Sequence, residues 1–116
     1  MNIKREAKLT EALDHILSIL TTQYQPEKVI LFGSMSSAAV GEWSDIDLVI
    51  IKETSLPFLQ RLKEVALLCH APVGVDFLVY TPSEFKQMIA EKNPFILEEI
   101  LGKGKILYEQ PVQAVA

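Results

Sequence analysis

Three aspartates and one Gly-Ser pair are the residues of this chain whose types and spacing could do chemistry. Asp45 and Asp47 are separated by one residue inside Ser44–Ile51, a stretch that reads as a strand. Alternate side chains of a strand share a face, so the two carboxylates project together, about 7 Å apart at a rise of ~3.3 Å per residue. Ile46, Leu48 and Ile50 then point the other way, into the core. Two carboxylates on one face repel unless something positive lies between them. Mg²⁺ takes oxygen ligands and joins carboxylates to substrate phosphates, which makes it the expected occupant.

The other candidates lie on neighbouring segments. Val29–Phe32 is a continuously apolar strand of the buried kind, and Gly33-Ser34 follows it directly. Met35–Val40 reads as a short helix behind that turn. Its N-terminus would offer free N–H groups and a positive dipole end to a phosphate. Taken alone, the pair reads as an ordinary strand-to-helix turn with Ser34 as N-cap, and it is Asp45 and Asp47 beside it that favour the phosphate reading. Asp76 is a lone charge inside the otherwise apolar strand Val73–Tyr80. Glu53 is nearer in sequence but lies past a strand end.

The elements that must position these residues follow from periodicity. Leu9, Leu13, Ile16, Leu17 and Leu20 form an apolar stripe on a helix from Lys4 to about Tyr24, which Pro26 stops. His15 lies beside that stripe as a surface histidine. Ser55 to His70 reads as a second helix, with Ser55 as N-cap and Phe58, Leu59, Leu62, Val65, Ala66 and Cys69 as its buried stripe. Thr81-Pro82-Ser83-Glu84 is a capping box opening a third helix. Asn93-Pro94 starts another, whose apolar side holds Ile96, Leu97, Ile100 and Leu101. Lys105–Glu109 is a last strand, and 110–116 a tail.

At 116 residues the chain is expected to be one domain, residues 1–109, with one real core. A hydrophobic content of 49% fits a globular protein, and no apolar run reaches the ~20 residues of a bilayer span. The start, Met1 to Lys8, is polar and charged, with no signal-peptide pattern. The single cysteine, Cys69, cannot form an internal disulfide, so a cytoplasmic location is expected and Cys69 reads as a core residue. A net charge of −4 argues against strong nucleic-acid binding, which needs a basic surface. Phe95–Tyr108 holds more apolar residues than one short helix and strand bury, so part of this region, or of the first helix, is expected to join a partner or a second copy.

Gly33-Ser34 followed by Ser44-Asp45-Ile46-Asp47-Leu48 on the next strand resembles the signature of the DNA polymerase β-like nucleotidyltransferase superfamily, and the length resembles its minimal bacterial members. The resemblance implies an α/β (α+β) fold, a mixed sheet with helices packed on it. It implies Asp45, Asp47 and Asp76 as catalytic and metal-binding acids, Gly33 and Ser34 as nucleotide-binding residues, Mg²⁺ as cofactor and ATP as donor. Transfer of AMP to a hydroxyl of a partner protein follows, with this chain as antitoxin to a helical partner of the HEPN family. Members of the superfamily commonly read Gly-Ser-Arg-Ala-Arg-Gly here, whereas this chain has Gly33-Ser34-Met35-Ser36-Ser37-Ala38. Arginine is the preferred bidentate phosphate clamp. Its absence supports a second reading, a binding module that keeps the fold and neutralises its partner by complex formation.

Overall fold

The computed structural model describes residues 3–33, 46–71 and 73–111. The first helix, α1, is Ile3–Ile19, and a π-helical turn, Leu20–Tyr24, extends it. Leu9, Ala12, Ile16, Leu20 and Tyr24 are buried, at helical spacings of three and four. Thr21 and Thr22 donate their hydroxyls to the carbonyls of Leu17 and Ser18, back-bonding that bends helices and here accompanies the wider winding. Gln25 ends the helix in the left-handed region, its N–H donating to the Leu20 carbonyl at 2.7 Å. Pro26 then cannot continue it. His15 is exposed on this helix.

Four strands follow, β1 (Lys28–Phe32), β2 (Ile46–Ile51), β3 (Val75–Tyr80) and β4 (Lys105–Glu109). They form one sheet in the order β3-β2-β1-β4, antiparallel except for the parallel pair β2 and β3. A parallel pair needs a crossover, which α2 (Phe58–Cys69) supplies. On one face Val29, Leu31, Ile46, Leu48, Ile50, Phe77 and Val79 pack with residues of α1 and α2. On the other, Ile30, Val49 and Ile51 pack against Phe85 of α3 (Pro82–Ala90) and against Ile96 and Ile100. Those two isoleucines belong to a π-helical segment, Phe95–Gly102. Burial on both faces is why Val29–Phe32 of β1 reads as an unbroken apolar run, and why Asp47 is the one break in β2. The architecture is a small α+β domain with a mixed four-stranded sheet. No helix among the described residues is long and apolar enough to cross a membrane.

Two boundaries and two buried faces differ from the periodicity. The second helix begins at Phe58 rather than Ser55, because Pro57 at its N-cap is extended, with ψ 153°. Thr54, not Ser55, makes the local side-chain bond, its Oγ1 accepting from the Leu56 N–H at 3.1 Å. The third strand starts at Val75, two residues after Val73. The buried face of α2 is Arg61, Val65 and Cys69, while Leu59, Ala66 and Leu67 face outward. The helix is turned toward its arginine. On the last helical segment Ile96 and Ile100 are buried, but Leu101 is 48% exposed. Cys69 is a buried core residue whose thiol burial pushes up to about 11, so it is unreactive at neutral pH.

Arg61 explains that rotation. Only 6% exposed, it donates to the carbonyls of Leu56 and Val79 at 2.8 and 3.1 Å. It also donates to both carboxylate oxygens of Glu84, at 2.7 and 3.2 Å. Glu84 closes the capping box of α3 as well, accepting from the Thr81 N–H while Thr81 Oγ1 accepts from the Glu84 N–H. One guanidinium thus joins α2, β3 and α3. The Arg61 hydrogen bond, followed by that of the Thr81 N–H, holds the Glu84 carboxyl below its ordinary 4.5. The stabilisation this gives is complete above that pH and is lost as pH falls through the depressed folded value. Arg61→Ala should therefore cost roughly 2–3 kcal/mol in urea denaturation at pH 7, leaving the Leu56 and Val79 carbonyls without their donor. Glu84→Gln should flatten the stability loss of the wild type below about pH 4.5, and an unchanged acid limb would contradict the assignment.

Candidate active site

Phe32 of β1, Asp47 of β2 and Asp76 of β3 are register partners and form one cross-strand row. Partners in a ladder send their side chains to the same face, and neighbouring strands lie about 4.8 Å apart. Asp47 alternates with Val49 and Ile51, so the row lies on the face that α3 and the π-helical segment cover further along. Asp47 is half-buried and Asp76 exposed. Two carboxylates therefore stand side by side at the open end of this face. Phe95 meets Phe32 edge to face, with ring centroids 5.5 Å apart at 85°, and closes the side of the row away from Asp76.

Gly33 sets how close the backbone comes to this row. Its φ is +73°, a left-handed value that favours glycine, and a Cβ at this position would overlap Asp47 Oδ2. The carboxylate of Asp47 is thus seated against bare backbone at the end of β1. Ser34 and Asp45, the remaining residues singled out in the sequence, lie outside the described residues, as do Met35–Val40, Trp43 and Ser44.

The donor set can be tested against a metal. Asp47 and Asp76 supply only carboxylate oxygens, the chemistry a hard divalent cation takes. The cradle that Gly33 leaves open lets Asp47 keep its place. Among the described residues no group of three His, Cys, Asp or Glu side chains is gathered, so the third ligand would have to come from elsewhere. Asp45, two residues before Asp47, is the acid nearest in sequence. The chemistry of the residues present fits a hard divalent cation.

Three features were not foreseen. The aromatic wall of Phe32 and Phe95 joins residues 63 positions apart, and only the tertiary fold brings them together. A groove of about 400 Å³ also reaches Asp76 from the outer side of β3, lined by Leu62 and Ala66 of α2 and Val75, Asp76, Phe77 and Leu78. A second hollow, about 290 Å³, lies at the other end of β3, between the stacked rings of Phe58 and Tyr80 and the side chains of Glu84 and Met88. Its Glu84 is already committed to Arg61.

A sequence comparison fits this geometry. The family model described as polymerase beta, nucleotidyltransferase matches residues 14–113, a span that contains the whole sheet and every residue of the row. The chain belongs to this nucleotidyltransferase family. A search of curated proteins finds no match. Within the nucleotidyltransferase domain, Gly33 and Asp47 should behave as one unit. Gly33→Ala should lower stability by at least ~1–2 kcal/mol, the cost of a left-handed alanine, and should displace the Asp47 carboxylate. Adding Asp47→Ala should restore part of the loss, giving a non-additive cycle in urea denaturation. Strict additivity would show that the two do not touch.

Proposed function

We propose that this nucleotidyltransferase transfers AMP from ATP to a hydroxyl of a partner protein. The pairing of Asp47 with Asp76 beside the bare backbone of Gly33 carries the reading. Mg²⁺ held by Asp47, Asp76 and Asp45 would neutralise charge on the triphosphate and the departing pyrophosphate. The chain's own groups do the rest. Gly33 leaves room for phosphate oxygens beside the row, and Ser34 follows it to donate a hydrogen bond. Asp76, exposed at the end of the row, accepts the proton of the acceptor hydroxyl as its oxygen bonds to the α-phosphorus and the bond to pyrophosphate breaks. The Phe32–Phe95 wall on the far side leaves Asp76 as the open approach.

A protein acceptor suits the charge. A net charge of −4 gives no attraction to a nucleic-acid backbone. The reading extends to an antitoxin that silences a HEPN-type partner in the cytoplasm by modifying it. One observation favours a second reading, neutralisation by complex formation without transfer. Met35 and Ser37 stand where arginine clamps are usual.

Labelled ATP, Mg²⁺ and the product of the adjacent gene separate the two readings. Label should reach the partner, and Asp76→Asn should cut the rate by roughly 10²–10⁴-fold, the usual worth of a placed general base. Mg-ATP should raise the melting temperature of the wild type through binding to the folded state alone. Asp47→Asn should lose that increment. A partner that is silenced equally well by Asp47→Asn and Asp76→Asn, and never labelled, would replace transfer by complex formation.

A further inference from the structure

The groove beside Asp76 runs along a sheet edge that is open over a short, defined length. Among the described residues β3 pairs only with β2, so its other side is a free edge there. The Gly74 and Tyr80 carbonyls accept from the Ile46 and Lys52 N–H groups at 3.2 and 2.9 Å. In a parallel ladder alternate residues turn their N–H and C=O toward the same neighbour. The even-numbered residues of β3 therefore face β2, and Val75, Phe77 and Val79 face the edge. Arg61 agrees with this, since its guanidinium reaches the Val79 carbonyl from outside the sheet at 3.1 Å. It closes the edge at Val79 and leaves Val75 and Phe77 open. Those two residues, with Asp76 and Leu78 and with Leu62 and Ala66 of α2, line the groove of about 400 Å³.

Beyond the cover of Arg61 at Val79, the one charge on this edge strand is Asp76. Val75–Tyr80 contains no lysine and no proline, whereas the opposite edge strand begins at Lys105. The apolar lining continues onto the outer face of α2. There Leu59, Leu62, Ala66 and Leu67 fall at i, i+3, i+7 and i+8, with Leu59 71% and Leu67 79% exposed.

We infer that the free edge of β3 is where the acceptor docks, as an extended polypeptide segment added beside Val75–Phe77. The inference rests on the transfer reading of the Asp47–Asp76 row. Backbone groups of Val75 and Phe77 read another backbone, which only a polypeptide offers in this spacing. An added strand lengthens the row Phe32, Asp47, Asp76 by one residue, about 4.8 Å beyond Asp76. The side chain at that place stands next to the Asp76 carboxylate, where a hydroxyl can give up its proton. The residues on either side of it point to the opposite face, into the groove walled by Leu62, Ala66, Val75 and Phe77. The acceptor is accordingly a serine, threonine or tyrosine flanked by apolar residues.

Unstructured dodecapeptides with one Tyr, Ser or Thr, flanked by Leu and Val or by Asp and Gln, test this with labelled ATP and Mg²⁺. The apolar-flanked set should take at least tenfold more label. Ala66→Trp, on the exposed face of α2, fills the groove. Val75→Pro removes an outward N–H from the first residue of an edge strand, where proline is tolerated. Each should cut peptide labelling at least tenfold and leave Mg-ATP affinity within twofold. Equal labelling of both sets, labelling indifferent to both variants, or no labelled peptide at all overturns the docking site. Mg-ATP affinity of the wild type separates the failures. If it is present, docking alone falls; if it is absent, the transfer reading falls with it.

Discussion

Like charges on neighbouring strands repel, and the parallel ladder between β2 and β3 holds Asp47 and Asp76 side by side against that repulsion. What keeps the ladder together is burial on both of its faces. Ile46, Leu48 and Ile50 anchor β2 to the layer of α1 and α2, while Val49 and Ile51 anchor it to α3 and the π-helical segment. Five of the six residues of β2 are buried, and Asp47 is the exception. A register slip of one residue would send all of them to the wrong face. The carboxylate row is therefore held in place by core packing.

Arg61 extends the same constraint to the end of β3. It is a buried cation, and a cation in that position is costly unless hydrogen bonds and a counter-charge surround it. Leu56, Val79 and Glu84 provide both. The consequence is that α2 turns its arginine inward and its leucines Leu59 and Leu67 outward. An exposed apolar face and a short open edge beside Asp76 thus follow from how one buried guanidinium is satisfied.

Much of this was legible in the chain and some was not, for identifiable reasons. The run Val29–Phe32 announces a central strand because both of its faces are apolar, and Ile46–Ile51 announces one through Ile46, Leu48 and Ile50 alternating with Asp47. The capping box of Thr81 and Glu84 announces α3 because two reciprocal hydrogen bonds require those residue types at that spacing. The last strand, Lys105–Glu109, needed only Gly102 and Gly104 to delimit it. The face of α2 was misread because counting apolar residues at helical spacing treats arginine as outward-facing, and nothing local reveals that Glu84, 23 positions later, will meet it. The register that sets Asp47 beside Asp76 is likewise non-local. Each aspartate was conspicuous alone, as a charge in an apolar strand, but their alignment depends on where the crossover through α2 delivers β3. The Gly-Ser signal was legible as a pair, and the structure adds to Gly33 the reason for it, a carboxylate where a Cβ would be.

The central claim is that Asp47 and Asp76 hold a divalent cation together with a nucleotide. Paramagnetic Mn²⁺ in place of Mg²⁺ tests it most directly, read in amide proton–nitrogen spectra of the wild-type chain with ATP. Broadening should centre on Gly33, Asp47 and Asp76, leave Glu84 and Glu91 at the other end of β3 sharp, and disappear from that centre in Asp47→Asn. Broadening that centres on Glu84 and Glu91, or that is the same in Asp47→Asn as in the wild type, would contradict the account.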